Sequence, residues 1–281
     1  MALQVDLVAA VLLSALLHAL WNSFVKVSDD RLVSIAVIVL TGGALSAPWI
    51  FTVPLPVPAS WGFVAASVTM HLTYYYFLIN AYRFGDLSRV YPLARGLAPA
   101  MVALAAALLA GEWLSLREVA GVVLVSLGIA SLVAGARGAA DRRGLWFATA
   151  TGATIAIYTV IDGLGGRSTD AVLSYIVWLN LSDALVILVV ARWRRGPILW
   201  PLLRAAAPRG AIAGAMATLG YGIVIYAMSR GAMAHVSALR ETSVVIAALI
   251  GTLLLGEPGL VPRVGAAALV ALGVIVMNWS A

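Results

Sequence analysis

Two arginines stand inside long apolar runs, where a charge needs a reason. Arg95 lies seven residues into a run that begins near residue 88, and Arg240 six residues into one that begins near residue 234. At 1.5 Å of rise per residue, each is roughly 10 Å along its helix. A guanidinium at that depth in hydrocarbon is costly unless it reaches water or a partner. Its planar fork suits a carboxylate or a phosphonate bidentately, so one or both arginines are expected to hold an anionic group of a substrate. The competing reading is a structural ion pair with Glu241, the neighbour of Arg240, or with Asp183, which is central in another apolar run. Glu241 and Asp183 are accordingly expected either to couple or gate transport or to neutralise the arginines. Asp162, close to the end of its run, is expected to be solvated or to cap a helix.

Polar and aromatic residues recur at helical spacing around these charges. His18, Trp21 and Asn22 fall at i, i+3 and i+4, and His71, Tyr74 and Tyr75 repeat the pattern. Tyr91 shares a face with Arg95, and Tyr158 with Asp162; Tyr221 and Ser243 complete the set of expected substrate-binding residues. In lipid such stripes point inward. They read either as the wall of a substrate cavity or as interhelical packing. His18 and His71 are expected to be hydrogen-bonded wall residues rather than proton carriers. Trp61, Trp113, Trp193, Trp200 and Trp279, near the ends of apolar runs, read as an interfacial belt.

The elements that position these residues follow from composition. Of 281 residues, 63% are hydrophobic and 11% charged, and the mean hydropathy is +1.01. That is too little charge to cover a water-facing surface, so the solvent is lipid. The absence of cysteine excludes disulfides, thiolate metal sites and a cysteine nucleophile. A pI near 10.0 reads as arginine-rich loops and not as nucleic-acid binding, because no basic patch is interleaved with stacking aromatics. No Walker A loop is present, which argues against ATP hydrolysis, and neither a His-Glu-x-x-His motif nor a Gly-x-Ser-x-Gly elbow supports an enzyme. No cofactor and no metal are expected; the partners are a small-molecule substrate and the bilayer, and the oligomeric state is open.

Apolar runs of about 20 residues each read as membrane spans. Ten are expected, at 4–26, 32–52, 60–83, 88–110, 115–135, 144–165, 170–192, 208–230, 234–255 and 260–279. The first lacks a basic leader and reads as a span instead of a cleaved signal. Small residues at four-residue intervals, Ala103-Ala107-Gly111 and Ala248-Thr252-Gly256, suit close helix packing. Pro48, Pro92 and Pro99 are candidate kinks.

The second half repeats the first. Ala81-Tyr82-Arg83-Phe84-Gly85 aligns with Ala227-Met228-Ser229-Arg230-Gly231, and Leu108-Leu109-Ala110-Gly111-Glu112 with Leu253-Leu254-Leu255-Gly256-Glu257 after a one-residue slip. The same register pairs Arg95 with Arg240 and Gly128 with Gly273, and Tyr75 is the counterpart of Tyr221. With five spans per half, residues 1–137 and 138–281 must enter the membrane from opposite sides. Inverted repeats of this kind mark transporters, with the site near the midplane. The fold expected is therefore an all-α membrane protein of ten transmembrane helices in two inverted five-helix repeats. Loops after odd-numbered spans carry thirteen Lys and Arg, from Lys26 to Arg263, against Arg117, Arg167 and Arg230 on the other side. The bias puts the odd loops in the cytoplasm and both termini outside.

The Gly-Glu closing the fourth span of each half, with His18-Ala19-Leu20-Trp21-Asn22, Tyr91-Pro92-Leu93-Ala94-Arg95-Gly96 and Leu239-Arg240-Glu241-Thr242-Ser243, resembles the drug/metabolite transporter superfamily, EamA-type. These segments look like a branch associated with phosphonate use. The resemblance implies a basket of ten helices in the bacterial inner membrane that moves amino acids or other small metabolites without ATP, with export the expected direction. Cytoplasmic termini, which many relatives are thought to have, disagree with the charge count. Organic anions such as phosphonates are the second substrate class; an intramembrane enzyme or a channel is the remaining alternative.

Overall fold

A computed structural model describes residues 3–25, 30–85, 87–134, 141–253 and 260–278. These form eleven α-helices and no β-strand: α1 (Val5–Val25), α2 (Arg31–Ser46), α3 (Pro58–Phe84), α4 (Leu87–Ala110), α5 (Leu116–Ala134), α6 (Arg142–Arg167), α7 (Val172–Arg195), α8 (Leu199–Arg230), α9 (Met233–Arg240), α10 (Thr242–Leu253) and α11 (Leu260–Asn278). Among the described residues, six helical stretches are long and apolar enough to cross a membrane. One of them, Val172–Arg230, holds both α7 and α8, joined by a single 3-10 turn at Gly196–Ile198. The chain is a multi-pass membrane protein.

Sequence punctuation sets the helix ends. Asp30 and Asp141 cap α2 and α6, accepting hydrogen bonds from the Val33 and Gly144 N–H groups at 3.2 and 2.7 Å. Ser115 and Glu118 form a reciprocal capping box at the start of α5. Gly111 ends α4 with φ +69, and a Cβ added there would meet nothing within 4 Å, so its role is conformational and not close packing. Gly256, the other end of the small-residue ladders, lies outside the described residues, as does Trp279. Pro92 and Pro99 sit inside a continuous α4, and Pro48 lies in a 3-10 turn, Ala47–Phe51, that follows α2.

Two expected boundaries are wrong. The stretch from Arg192 to Arg209, read as a loop, is helical except for the Gly196–Ile198 turn, and α8 starts at Leu199 and runs through Pro208. Arg204 and Arg209 are exposed, so polar residues that look like a loop in sequence simply occupy the outer face of a helix. The ninth expected span is divided at Glu241, where α9 gives way to α10 through a turn that keeps bonds from Glu241 N–H to the Ser237 and Ala238 carbonyls. Arg240 and Glu241 therefore stand at a helix break.

Packing pairs the elements of the two halves. α1 packs on α8 and α3 on α6; α2 packs on α8 and α3 on α7; α4 packs on α6, and α1 on both α9 and α10. α5 and α11 lie against each other through glycines: a Cβ at Gly273 would meet the Gly121 carbonyl oxygen at 2.7 Å, and one at Gly128 the Ala266 oxygen at 3.0 Å. Large apolar side chains such as Leu104, Leu108, Leu185 and Leu219 cover the outside, as lipid requires. Trp61, Trp113, Trp193 and Trp200 are exposed as well.

Candidate functional site

α3, α6, α7 and α8 bring one histidine, two carboxylates and a ring of tyrosines together. His71 Nδ1 lies 2.8 Å from Asp183 Oδ2, and its Nε2 lies 3.7 Å from Asp162 Oδ2. Asp162 is fully buried and accepts hydrogen bonds from Tyr175, at 2.9 Å, and from Tyr221. The expectation of a solvated or capping Asp162 is thus overturned. α6 continues to Arg167, which puts Asp162 more than a turn inside the helix, and the phenols of α7 and α8 replace water around it. Nothing in the sequence singles out Tyr175. Its apolar body reads as packing, and only its juxtaposition with Asp162 exposes its role.

Aromatic rings wall this cluster. The His71 ring stands 4.8 Å from Tyr158 and 5.9 Å from Tyr221, and Tyr74 stands 5.7 Å from Tyr158, all edge-on. Tyr75 lies beside Tyr74 at 5.3 Å and packs on the apolar cluster of α2, α7 and Leu199 of α8. Tyr91 packs against an apolar cluster shared by α5, α9, α10 and α11.

The two arginines differ in what they meet. Arg95 is 3% exposed, and its Nε lies 2.8 Å from Glu241 Oε2, near enough for an ion pair though not aligned as a hydrogen bond. Arg95 Nη2 and the Ser243 hydroxyl are buried without a hydrogen-bond partner among the described residues. Arg240, also buried, lies over the Tyr221 ring with its guanidinium carbon 5.1 Å from the centroid. No described carboxylate comes within ion-pair distance of it. The expected pairing with Glu241 therefore belongs to Arg95: adjacent residues on a helical backbone point about 100° apart, so Glu241 meets Arg95 while Arg240 meets Tyr221. Tyr74, Tyr91 and His18 each lie within electrostatic reach of both arginines. On α1, Trp21 Nε1 donates to His18 Nδ1 at 3.2 Å. The Asn22 side chain lies outside the described residues.

Ion pairs close both ends of the bundle. At one end, Arg167 pairs with Glu112 and donates to the carbonyls of Met228 at 2.9 Å and Gly231 at 2.7 Å, while Glu112 accepts from Met233 N–H at 2.8 Å. At the other end, Arg195 reaches both oxygens of Asp30 at 2.8 and 3.0 Å. Partial burial pushes the Asp30 carboxyl up, but the hydrogen bonds from Arg195 and from Val33 N–H outweigh it and hold the group below the usual carboxylate range.

The model of the EamA-like transporter family matches residues 142–279. No curated protein matches the chain. A solved structure titled only "Crystal structure of protein" shares the fold, with a TM-score of 0.71 and 21% identity over 96% of this chain and 94% of that one.

Proposed function

The chain belongs to the EamA-like transporter family, and from that premise we propose that it is a secondary carrier of amino acids and similar zwitterions, working as an exporter. The observation that carries this reading is that buried donors are left without an anionic or acceptor partner among the described residues. Arg240 has no described carboxylate at ion-pair distance, and Arg95 Nη2 and Ser243 Oγ have no partner among the described residues. A substrate carboxylate satisfies these groups, and the rings of Tyr74, Tyr158 and Tyr221 offer stacking surface for its side chain. His18, Trp21, Asn22, His71, Tyr75 and Tyr91 extend the wall in this reading.

The architecture we propose is ten crossings in two inverted repeats, 1–137 and 138–281. It is supported by packing that survives exchange of the halves: α1 on α8 answers α3 on α6, and α4 on α6 answers α1 on α9 and α10. The α5–α11 contact maps onto itself in the same way, since Gly121 and Ala266 are related by the register that pairs Gly128 with Gly273. A broken helix beside the site is the element that inverted-repeat carriers use to present backbone and charge to substrate. The location proposed is a bacterial inner membrane.

Counterflow in proteoliposomes with a labelled mixture of common amino acids tests the reading. Exchange of label is expected. Arg240→Lys keeps the charge and loses the fork, and is expected to weaken substrate by about 2–3 kcal/mol, about 30- to 150-fold. Wild-type affinity in that variant sinks Arg240 as the carboxylate site. The two guanidiniums also favour a second reading, an organic anion such as a phosphonate, which competition by methylphosphonate tests directly.

A further inference from the structure

His71 is held between two carboxylates from different helices, Asp183 on α7 at 2.8 Å and Asp162 on α6 at 3.7 Å. On its remaining sides stand Tyr158 of α6 and Tyr221 of α8, with Arg240 of α9 at longer range. Tyr221 joins the two regions physically: its hydroxyl donates to Asp162 and its ring lies under Arg240. The charges on these neighbouring side chains can be counted. Arg95 and Glu241 cancel, leaving one positive charge on Arg240 against two negative charges on Asp162 and Asp183. In a medium of low dielectric an unbalanced charge is expensive, and one proton on the cluster removes the imbalance.

We infer that Asp162, His71 and Asp183 form a proton-binding site whose occupancy follows the charge that cargo brings to Arg240. The inference rests on the transport reading above for its cargo, but not for the site itself. The proton rests on the imidazole between the two carboxylates. Asp183 is the port, because its side chain is 13% exposed while that of Asp162 is 0% exposed. A zwitterion adds no net charge, so it crosses with the proton count unchanged. A net anion adds one negative charge, and the cluster takes one further proton from water through Asp183, releasing it to water when the anion leaves. Anions and protons then move in the same direction.

Nitrogen NMR of histidine-labelled protein in lipid nanodiscs near neutral pH tests the site without any substrate, and His71→Gln assigns the signal among the three histidines. The wild-type spectrum is expected to show the His71 ring protonated on both nitrogens, and Asp183→Asn to return it to a neutral ring. A neutral His71 ring in the wild type overturns the proton site, whatever the variants do. The charge rule is tested in proteoliposomes with the membrane potential clamped and a pH gradient imposed, using labelled neutral amino acids and labelled aspartate. Neutral amino acids are expected to reach the same steady-state ratio with or without the gradient, whereas aspartate gathers on the alkaline side by about tenfold per pH unit. Neutral probes that follow the gradient, or an exchanging aspartate that ignores it, overturn the rule. Steady-state ratios are unaffected by a slower carrier. Absence of all exchange removes the transport reading and the charge rule with it, while the NMR result still decides the proton site.

Discussion

Arg95 and Glu241 are 3% and 1% exposed and meet at 2.8 Å, so neither side chain can be removed without stranding the other. Arg95→Gln alone is expected to destabilise the protein by about 3–5 kcal/mol, because a buried carboxylate is left uncompensated. The Arg95→Gln, Glu241→Gln double variant is expected to recover most of that loss in a thermal melt in detergent. A double variant no more stable than the single one refutes the pairing. Asp30 makes a prediction of a different kind. Its carboxyl is held below the usual range, so the Arg195 contact contributes stability that is fully present above the ordinary carboxylate pKa of about 3.9 and is lost as pH falls through the lower folded value. The protein is therefore expected to lose stability on acidification below about pH 4, and Asp30→Asn to flatten that dependence. Since both groups are about a third exposed, screening by water keeps the effect small. A melting temperature with the same acid slope in Asp30→Asn excludes this contact as its source.

Among the elements, α5 and α11 form one of the close backbone contacts between the halves. Their backbones approach so closely at Gly121 and Gly273 that a Cβ on Gly273 would stand 2.7 Å from a carbonyl oxygen, which is backbone and cannot swing away. Gly273→Ala is expected to cost about 1–3 kcal/mol by forcing the two helices apart. Gly62→Ala and Gly265→Ala, with open space around the added methyl, are expected to leave the melting temperature unchanged or slightly raised, since alanine is the better helix former. Equal effects at all three positions would mean that the close approach does not support the fold. α9 and α10 show a second use of an element boundary. Helical geometry sets Arg240 and Glu241 about 100° apart, and across the turn that joins α9 to α10 Glu241 meets Arg95 while Arg240 lies over Tyr221.

For the molecule as a whole, the thirteen-to-three distribution of Lys and Arg between the two sides of the expected spans makes a topological prediction. A reporter fused at Ala281 is expected to be active outside the cytoplasm, and a green fluorescent fusion there to be dark. Fluorescence matching a cytoplasmic control reverses the orientation while leaving the fold intact. The ion pairs at the two ends lie at opposite faces of the same bundle in this arrangement. Arg167 ties the segment after α4 to the end of α8 through Glu112, Met228 and Gly231, and Arg195 ties α7 to the start of α2 through Asp30.

Lipid as the solvent and the polar stripes of His71, Tyr74, Tyr158 and Tyr221 were legible in the sequence, because hydropathy and helical spacing are local properties of a chain. Arg95 and Arg240 were legible for the same reason: a charge within an apolar run is conspicuous at any fold. Which charge meets which was not. Arg95 and Glu241 are 146 residues apart in sequence, His71 and Asp183 are 112 apart, and no local pattern encodes such a pairing. Asp162 could not be placed from its sequence position, because distance from the end of an apolar run says nothing of what packs around a residue. Tyr175 and Tyr221, from two other helices, supply the hydrogen bonds that make its burial tolerable. The break at Glu241 was hidden for a related reason: residues 234–255 read as one apolar run, and the turn that divides them shows only in the backbone hydrogen bonds around Glu241.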